Sequence, residues 1–277
     1  MGHTVKPSKL RYVLLIVLSF VMVLPLIWMF LSSLKTGEEI FAVPLKWFPE
    51  TPQWSNFPGA LELAPFGLYI FNSTITALVI VVFQVVLACM MAYALTQLQF
   101  KGKNLLFNSI MMTYMLPMAA TYVPSYVIIA KLGLLDTLTG IIISNIASVF
   151  CIFMIRQAFM QVPKEMIEAA RADGANDITI LWKIMIPMSK SSIFTVALIS
   201  FVQMYNNYLW PSLIVKSQEK YLITVGLNQF FMSQGTFASQ WPMIMAANVL
   251  AVLPLLLLFL VLQKWFIKGI SDNGLKG

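Results

Sequence analysis

Long uncharged apolar runs alternate with shorter polar segments along the whole chain. An α-helix needs about 20 apolar residues to cross roughly 30 Å of hydrocarbon, and the runs approach or exceed this length, the fourth being marginal. Because runs of this length suit membrane-spanning helices, they predict an all-α polytopic membrane protein with one transmembrane domain over residues 1–277. The six predicted transmembrane helices are 12–34, 68–98, 105–130, 138–154, 193–215 and 242–262.

Composition supports the membrane interpretation. Only 10% of the residues are charged and 59% are hydrophobic, whereas globular domains carry roughly 25% charged residues. Residues 1–11 form a basic tail, and the run that follows is too long for the apolar part of a secretory signal peptide. The pattern therefore predicts a first membrane helix that is retained.

The basic residues indicate the orientation of the chain. With the N-terminus in the cytoplasm, only five of the 18 Lys and Arg residues fall in outer loops. Because Lys and Arg concentrate on the cytoplasmic side, this arrangement predicts that both termini are cytoplasmic. It also places a polar loop at residues 157–192 and a C-terminal tail at residues 264–277 in the cytoplasm. The five outer residues are Lys35, Lys46, Lys131, Lys216 and Lys220.

Several function classes are disfavoured by the residue inventory. The single histidine is His3, and both cysteines, Cys89 and Cys151, lie inside apolar runs, so no catalytic or metal site is predicted. The net charge of +7 is not concentrated in a basic patch with interleaved aromatic residues, which argues against nucleic-acid binding. The predicted spans hold almost no acids or bases, which argues against an ion-coupled secondary carrier.

Neutral polar residues are the remaining candidates inside the spans. Most are expected to form hydrogen bonds between helices. A cluster near residue 205 combines amides with aromatic rings, which suit neutral hydroxylated ligands such as sugars. Four of its members have the i, i+3, i+4, i+7 spacing of one helix face. The cluster consists of Gln203, Tyr205, Asn206, Asn207 and Trp210, and other neutral polar residues are Asn72, Ser73, Gln84, Ser144 and Asn145.

Two long outer loops are expected. The loop at residues 35–67 is rich in Pro and Trp and is predicted to be an irregular segment at the membrane interface. The loop at residues 216–241 is predicted to hold a short amphipathic helix around residues 224–232. Anchoring to the membrane and contact with an external partner are both open for these loops.

The polar loop at residues 157–192 has the signals of two short helices. Pro163 suits a first helical turn, and Glu165 and Arg171 complement the helix dipole. Gly174 suits the left-handed position that ends a helix. Asn176 or Asp177 is predicted to cap a second helix, and Pro187 marks a break before the fifth span. The second helix is predicted to place Ile178, Leu181, Trp182 and Met185 on one side.

The first of these helices is too short to be stable alone in water, so it requires a surface on which to dock. Its charges are spread around most of its circumference. A helix lying on the bilayer would segregate its charges from its apolar residues. A protein partner is therefore favoured over the membrane surface.

The loop resembles the EAA loop of binding-protein-dependent ABC importer permeases. The residues that carry the resemblance are Glu168-Ala169-Ala170, Asp173-Gly174-Ala175, Ile184 and Pro187. Further residues are similar to the carbohydrate-uptake branch, of the maltose/oligosaccharide type, and to its six-helix partner subunit. They are Pro44, Trp47, Phe48, Pro49, Asn56, Asn72-Ser73, Ala92-Tyr93-Ala94, Phe100, Gly102, Met115-Leu116-Pro117, Asn206–Pro211, Gln263, Gly269, Gly274, Lys276 and Gly277.

The resemblance implies a type I ABC importer permease fold and a coupling helix that docks on a separate ATPase subunit. It further implies a homologous second permease, an ATPase dimer, an extracytoplasmic solute-binding protein and a sugar substrate, in a bacterial or archaeal cytoplasmic membrane. The implied ATPase-coupling residues are Glu165, Glu168, Ala169, Ala170, Asp173, Gly174, Ala175 and Pro187.

The chain itself is not expected to be an enzyme. It lacks a GxxxxGK[ST] phosphate-binding loop, since Ser189 precedes Lys190-Ser191 where that motif needs Gly. No cofactor is expected in this chain, and ATP and Mg are expected on the partner ATPase. The alternatives are an ABC permease for another solute class or a secondary carrier.

Overall fold

A computed structural model describes residues 9–234 and 240–274, and every regular element in these ranges is helical. Residues 1–8 of the N-terminal tail, and Lys276 and Gly277 of the C-terminal tail, lie outside the described residues. The α-helices are α1 (Lys9–Ser33), α2 (Gly37–Ile40), α3 (Asn56–Leu63), α4 (Phe66–Gln97), α5 (Lys103–Tyr114), α6 (Met118–Lys131), α7 (Leu138–Asn145), α8 (Val149–Met160), α9 (Lys164–Ala172), α10 (Asp177–Ile180), α11 (Ile186–Met188), α12 (Lys190–Tyr205), α13 (Leu209–Ile214), α14 (Ile223–Gln234) and α15 (Trp241–Gly274).

Three helices are continuous and apolar enough to cross a membrane. They are Arg11–Ser33, Phe66–Gln97 and Trp241–Val261, which confirm the first, second and sixth predicted spans. The last helix continues as far as Gly274, although residues 264–277 were predicted as a tail.

The three middle spans are each interrupted, a feature that the apolar pattern does not predict. The third consists of α5 and α6, which are separated at Pro117, because a proline disfavours helical backbone in the residue before it. The fourth is α7 and α8, bent by 42° and extending to Met160 rather than residue 154. The fifth is α12 and α13, with residues 206–208 between them.

The number of crossings depends on how bent helix pairs are counted. Two bent pairs can each be counted as one span: α7 with α8, and α12 with the helical segment Asp177–Met188, from which it bends by 80°. With both pairs included, the described residues contain up to five candidate membrane spans. Six crossings and a single domain over residues 1–277 stay predictions.

The chain divides into two compact units, Met1–Gly67 with Gly226–Leu253 and Leu68–Val225 with Pro254–Gly277. In the first unit the predicted irregular loop contains the short helices α2 and α3. Lys35 is fully buried, with its ammonium 4.1 Å from the Trp28 ring centroid. The Asn56 amide donates to the carbonyl oxygens of Ser33, at 2.9 Å, and Lys35, at 3.0 Å. The loop is thus held by its own polar contacts, while Trp54 remains exposed.

The main core of the second unit joins α4, α8 and α12 to the segment after residue 161. Fully buried side chains from these elements meet there, because α4 and α8 both present small or branched apolar residues towards the segment. A second cluster surrounds Trp210. The main core contains Ala88, Cys89, Ala92, Tyr93, Leu95, Cys151, Ile152, Ile155, Phe159, Val162, Ile167, Ile180, Leu181, Met185 and Val196.

Candidate functional site

The helix α9 ends near the predicted position and begins one residue after Pro163, which was predicted to lie in its first turn. Pro163 is its N-cap, with an extended ψ of 131°, and Asp173 is its C-cap. Gly174 has a φ of +82°. Its amide donates to the Arg171 carbonyl at 3.0 Å, and the amide of Ala175 donates to the Ala170 carbonyl at 2.9 Å. These two bonds form a Schellman motif, which satisfies carbonyls that the helix end would leave unpaired.

The two sides of α9 differ in exposure. Ile167 is buried in the main core of the second unit, and Ala170 packs against that core. The predicted docking residues Glu165, Glu168 and Ala169 are exposed. The helix is therefore attached along one side and presents acids and small residues along the other. Asp173, Gly174 and Pro187 are also exposed, and Ala175 is half-buried.

The segment after Gly174 departs from a regular helix. The Asn176 side chain caps it by accepting a hydrogen bond from the Thr179 amide at 2.8 Å. A π-helical stretch, Leu181–Met185, follows α10 and leads into α11. The helix then ends at Ser189, and α12 begins at Lys190, so the break predicted at Pro187 lies two residues later, and Pro187 itself is part of α11.

The prediction that the apolar residues of the second helix lie on one side is wrong. Leu181 and Met185 are buried, but Ile178 and Trp182 are 71% and 51% exposed. The four apolar residues do not share one side, because the wider π turns shift the register that an α-helix would give. Ile178 and Trp182 therefore add exposed apolar surface to the loop.

Tyr93 connects the loop to the end of α4. Its hydroxyl donates to an Asp177 carboxylate oxygen at 2.6 Å, and Arg171 forms an ion pair with the same oxygen at 3.2 Å. Tyr93 is 4% exposed, so its ring is fixed by packing. The sequence analysis predicted no contact for Tyr93. A buried tyrosine hydroxyl usually has a hydrogen-bond partner, so the position of Tyr93 near the end of an apolar run was the available signal.

A cavity of about 460 Å³ lies beside α9. Four cationic side chains line it with a single carboxylate, that of Glu168. The guanidinium of Arg156 lies 4.1 Å from the centroid of the Phe107 ring. The cavity thus combines an excess of positive charge with a fixed cation beside the exposed acids of α9. The four cationic residues are Lys103, Arg156, Lys164 and Arg171.

The substrate-path candidates do not form one helix face, and that prediction is wrong. α12 ends at Tyr205, and Trp210 belongs to α13 beyond the non-helical residues 206–208. Trp210 is 4% exposed, stacks on Tyr122 with 5.6 Å between ring centroids, and donates from Nε1 to Ser144 Oγ at 2.7 Å. Its role in the fold is therefore packing.

The remaining candidates for the substrate path include both buried and exposed residues. Tyr205 is buried and stacks on Phe201. Gln203 and Asn206 are exposed, and Asn207 is half-buried. The carbonyl of Asn207 accepts a hydrogen bond from the Thr224 hydroxyl at 2.7 Å. Exposed amides thus surround the break between α12 and α13.

A buried polar cluster joins three spans, as predicted for neutral polar residues. Gln84, on α4, donates from Nε2 to the carbonyl of Asn145 at 2.7 Å. Its Oε1 accepts the hydroxyl of Ser200 on α12, and the Cys151 thiol lies 3.9 Å away. The cluster is at the break between α7 and α8.

A second polar cluster ties two loops together. Asp136, with a φ of +54°, accepts from the backbone amides of Lys216 and Ser217 at 2.8 and 2.9 Å. It also accepts the Ser217 hydroxyl and lies 3.3 Å from the Lys220 ammonium. The hydroxyl and amide of Ser217, the amide of Lys216 and the Lys220 charge hold the pKa of Asp136 well below its usual range. No sequence pattern linked these residues, which are about 80 positions apart.

Comparisons with known proteins agree on one family. Residues 84–272 match the family model of the binding-protein-dependent transport system inner membrane component. The chain is 34% identical to the sn-glycerol-3-phosphate transport system permease protein of Pectobacterium atrosepticum, over 95% of both chains. It is 30% identical to an arabinooligosaccharides transport system permease protein of Halalkalibacterium halodurans, over 94% of this chain and 93% of the relative.

A solved structure is similar in fold and sequence. It is that of a bacterial ABC transporter involved in the import of the acidic polysaccharide alginate, with a TM-score of 0.82 and 26% identity. The match covers 95% of this chain and 100% of the other.

Proposed function

The chain belongs to the family of binding-protein-dependent transport system inner membrane components, and we propose that it is the permease subunit of an ATP-driven importer for a sugar, specifically an oligosaccharide. The observation that carries the proposal is α9, the helix predicted to be the coupling helix. One side of α9 packs on the core of the second unit, and the other side is exposed. Relatives named for arabinooligosaccharides and sulfoquinovosyl glycerol support the sugar assignment.

In this proposal, the exposed side of α9 docks on the ATPase subunit. Glu165, Glu168 and Asp173 provide charged contacts, and Ala169 allows close approach. The positive cavity beside Arg156 can receive acidic side chains of the same partner. ATP and Mg bind to the ATPase, and the chemistry of hydrolysis takes place there.

Attachment of α9 explains how motion would be transmitted. Ile167 packs with residues of α4 and α8, and Asp177 bonds to Tyr93 on α4. Because packed cores shift between discrete arrangements rather than deform continuously, a displacement of α9 would move these spans as well. Such movement alternates access to a central path between the two sides of the membrane.

The proposed path passes the interrupted spans. Backbone groups at a helix break inside a membrane require a protein partner or a water-filled cavity. Residues 114–117 are exposed at the junction of α5 and α6, and Gln203 and Asn206 are exposed near the break after α12. The exposed amides are the proposed contacts for sugar hydroxyls, with Asn207 adjoining them, whereas Tyr205 and Trp210 support them from the core.

The proposed assembly contains a homologous second permease, an ATPase dimer and an extracytoplasmic solute-binding protein. The chain would lie in the cytoplasmic membrane as a multi-pass protein with both termini inside. The surface of α1 over residues 12–23 is exposed on all sides in this chain, as expected for contact with lipid or the second permease.

A phosphorylated polyol is a second candidate substrate. It is favoured by the sn-glycerol-3-phosphate relatives, which are 32–34% identical over 95% of this chain. The second to fifth predicted spans contain no Lys or Arg. An anionic substrate would therefore need its compensating cations from the second permease.

Co-purification tests the proposal. The tagged chain is expressed with its genomic neighbours, and the recovered complex is reconstituted in liposomes. We expect an ATPase and a second permease to co-purify, and ATPase activity to rise when a liganded binding protein is added. Uptake of candidate oligosaccharides and of glycerol phosphate then identifies the substrate. Transport by the chain alone, without ATP, would refute the proposal.

A further inference from the structure

A break in the fourth span is held by a side chain from another span. α7 ends at Asn145, and α8 begins at Val149 after a bend of 42°. The last carbonyls of a helix have no partners within the helix. At this break the carbonyl of Asn145 accepts a hydrogen bond of 2.7 Å from Gln84 on α4.

The donor of this bond is buried, whereas Asn145 is half-buried. Gln84 is 3% exposed, Ser200 is 2% exposed, and Cys151 is fully buried. The Gln84 amide thus donates its N–H to the carbonyl at the break, and its oxygen accepts the hydroxyl of Ser200 on α12. A single buried side chain connects three spans, so loss of its contacts would leave the buried Ser200 hydroxyl and the half-buried Asn145 carbonyl without these partners.

The amide at this position matches both of its partners. An apolar side chain would leave the Asn145 carbonyl unsatisfied and would not favour one bend over another. A charged side chain would be costly in this environment. Glutamine alone among similar-sized residues offers a neutral donor to the break and an acceptor to Ser200.

We propose that Gln84 is a positioning residue for transport: it holds the α7–α8 break in the bend seen here, and the break changes when the transporter alternates between its two states. This inference rests on the proposed function. Gln84 does not touch the substrate in this proposal. It sets which arrangement of α7 and α8 is populated when the transporter is at rest.

Cys151 provides a reporter at the break. Its amide is capped by Ser148 Oγ at 3.3 Å, and its thiol adjoins Gln84. The chain has two cysteines, so Cys89→Ala leaves Cys151 as the only thiol. The rate at which N-ethylmaleimide modifies Cys151 measures opening of the break, because a buried thiol reacts only when it is transiently exposed.

The experiment uses the assembled transporter in the Cys89→Ala background. Gln84→Met removes both hydrogen bonds at similar side-chain length, and Gln84→Leu removes both with a shorter apolar side chain. Both variants are expected to increase the modification rate of Cys151 by about tenfold or more, the factor that follows from one unpaired buried group. Ser200→Ala is the matched comparison, because it keeps the Gln84–Asn145 bond and removes only the bond to the Gln84 oxygen and the 3.8 Å contact with the Cys151 thiol. Its modification rate should therefore rise clearly less than that of either Gln84 variant.

The coupling between ATP hydrolysis and the binding protein distinguishes a positioning role of Gln84 from a purely structural one, because a purely structural role would leave this coupling unchanged. Both Gln84 variants should raise ATPase activity without binding protein and reduce its stimulation by liganded binding protein. In the parent, trapping with ATP and vanadate should change the Cys151 modification rate. The same rate in the resting and trapped parent would overturn the proposal, as would equal effects of Gln84→Met and Ser200→Ala.

The outcomes separate this inference from the proposed function. If the parent assembles with an ATPase and transports while Cys151 does not respond to trapping, only the role of Gln84 fails. If the parent does not assemble with an ATPase, the proposed function fails first. Because the trapping comparison uses the parent alone, a variant that does not fold still leaves a decisive measurement.

Discussion

The hydroxyl of Tyr93 lies 2.6 Å from a carboxylate oxygen of Asp177 and joins α4 to the segment that follows Gly174. The hydroxyl donates to a charged acceptor, and such bonds are stronger than neutral ones. Because Tyr93 is packed in the core while Asp177 is exposed, the bond connects a fixed ring to a surface loop. In the proposed function this connection helps to transmit movement of α9 to the membrane-spanning part.

Tyr93→Phe should weaken this connection without disturbing the core. The phenyl ring keeps the packing, and Asp177 retains its ion pair with Arg171. We expect a loss of roughly 1–2 kcal/mol in stability and a lower ratio of transport to ATP hydrolysis. The measurement is thermal unfolding in detergent together with coupled uptake and ATPase assays. Tyr12→Phe, at an exposed position of α1, is the control and should alter neither quantity.

Gly174→Ala should reduce coupling through backbone strain alone. A Cβ at Gly174 meets nothing within 4 Å, but its φ of +82° is unfavourable for other residues. The left-handed conformation costs an L-residue about 1–2 kcal/mol, so the end of α9 should shift or fray. Binding of the ATPase subunit, measured by co-purification, should fall severalfold, and Gly174→Asn should be tolerated better.

Gly67→Ala is the matched control for this substitution. A Cβ at Gly67 would also meet nothing within 4 Å, but the φ of Gly67 is not in the left-handed region. The substitution should be neutral or slightly stabilising, because alanine favours the first turns of α4. Equal losses for the Gly67 and Gly174 variants would contradict the strain argument.

Gln203→Ala and Trp210→Ala should have different effects. Gln203 is exposed, so its truncation should change stability by less than about 0.5 kcal/mol while raising the KM for uptake. Trp210 is buried against Tyr122, and its truncation should cost about 3–5 kcal/mol. Uptake kinetics and thermal unfolding distinguish the two. A Gln203 variant with unchanged uptake would remove this residue from the proposed path.

Asp136→Asn should loosen the junction between the two loops in a pH-dependent way. Because the pKa of Asp136 is lowered in the folded protein, its stabilising contribution is complete above its ordinary pKa of about 3.9 and is lost as the pH falls towards the folded value. The variant should therefore be less stable than the parent at pH 7, and the difference should shrink below about pH 4. Limited proteolysis of the 215–222 segment across this range is the measurement, and a difference that grows on acidification would refute the assignment.

Local signals were sufficient for the end of α9 and the start of α10. Gly174 and Asn176 act on neighbouring residues, so their capping roles were readable from sequence order and are confirmed, whereas Pro163 lies one residue before the first turn in which it was predicted. Long apolar runs were likewise sufficient for α1, α4 and α15, since hydrophobic length alone determines whether a helix can cross a bilayer. The match to the transport family confirms the resemblance that the loop spacing predicted.

The helical periodicity of the sequence gave wrong predictions of shared helix faces where the backbone departs from a regular α-helix. The face shared by Gln203 and Trp210 was wrong because the helix ends at Tyr205, and the face shared by Ile178 and Met185 was wrong because a π-helical stretch intervenes. Both errors arose from extending a local repeat through a break. Hydrophobic composition does not register such a break, since a broken span is as apolar as a continuous one.

The sequence by itself determined the three continuous apolar spans, the C-terminal end of α9 and the family, because these depend on residues close together in the chain or on their composition. Only the tertiary structure decided that Gln84 meets Asn145, that Tyr93 meets Asp177 and that Asp136 meets Ser217. These pairs are 61, 84 and 81 positions apart. Each buried or loop-held polar group finds its partner only after packing brings distant segments together, and no local pattern encodes which partner that will be.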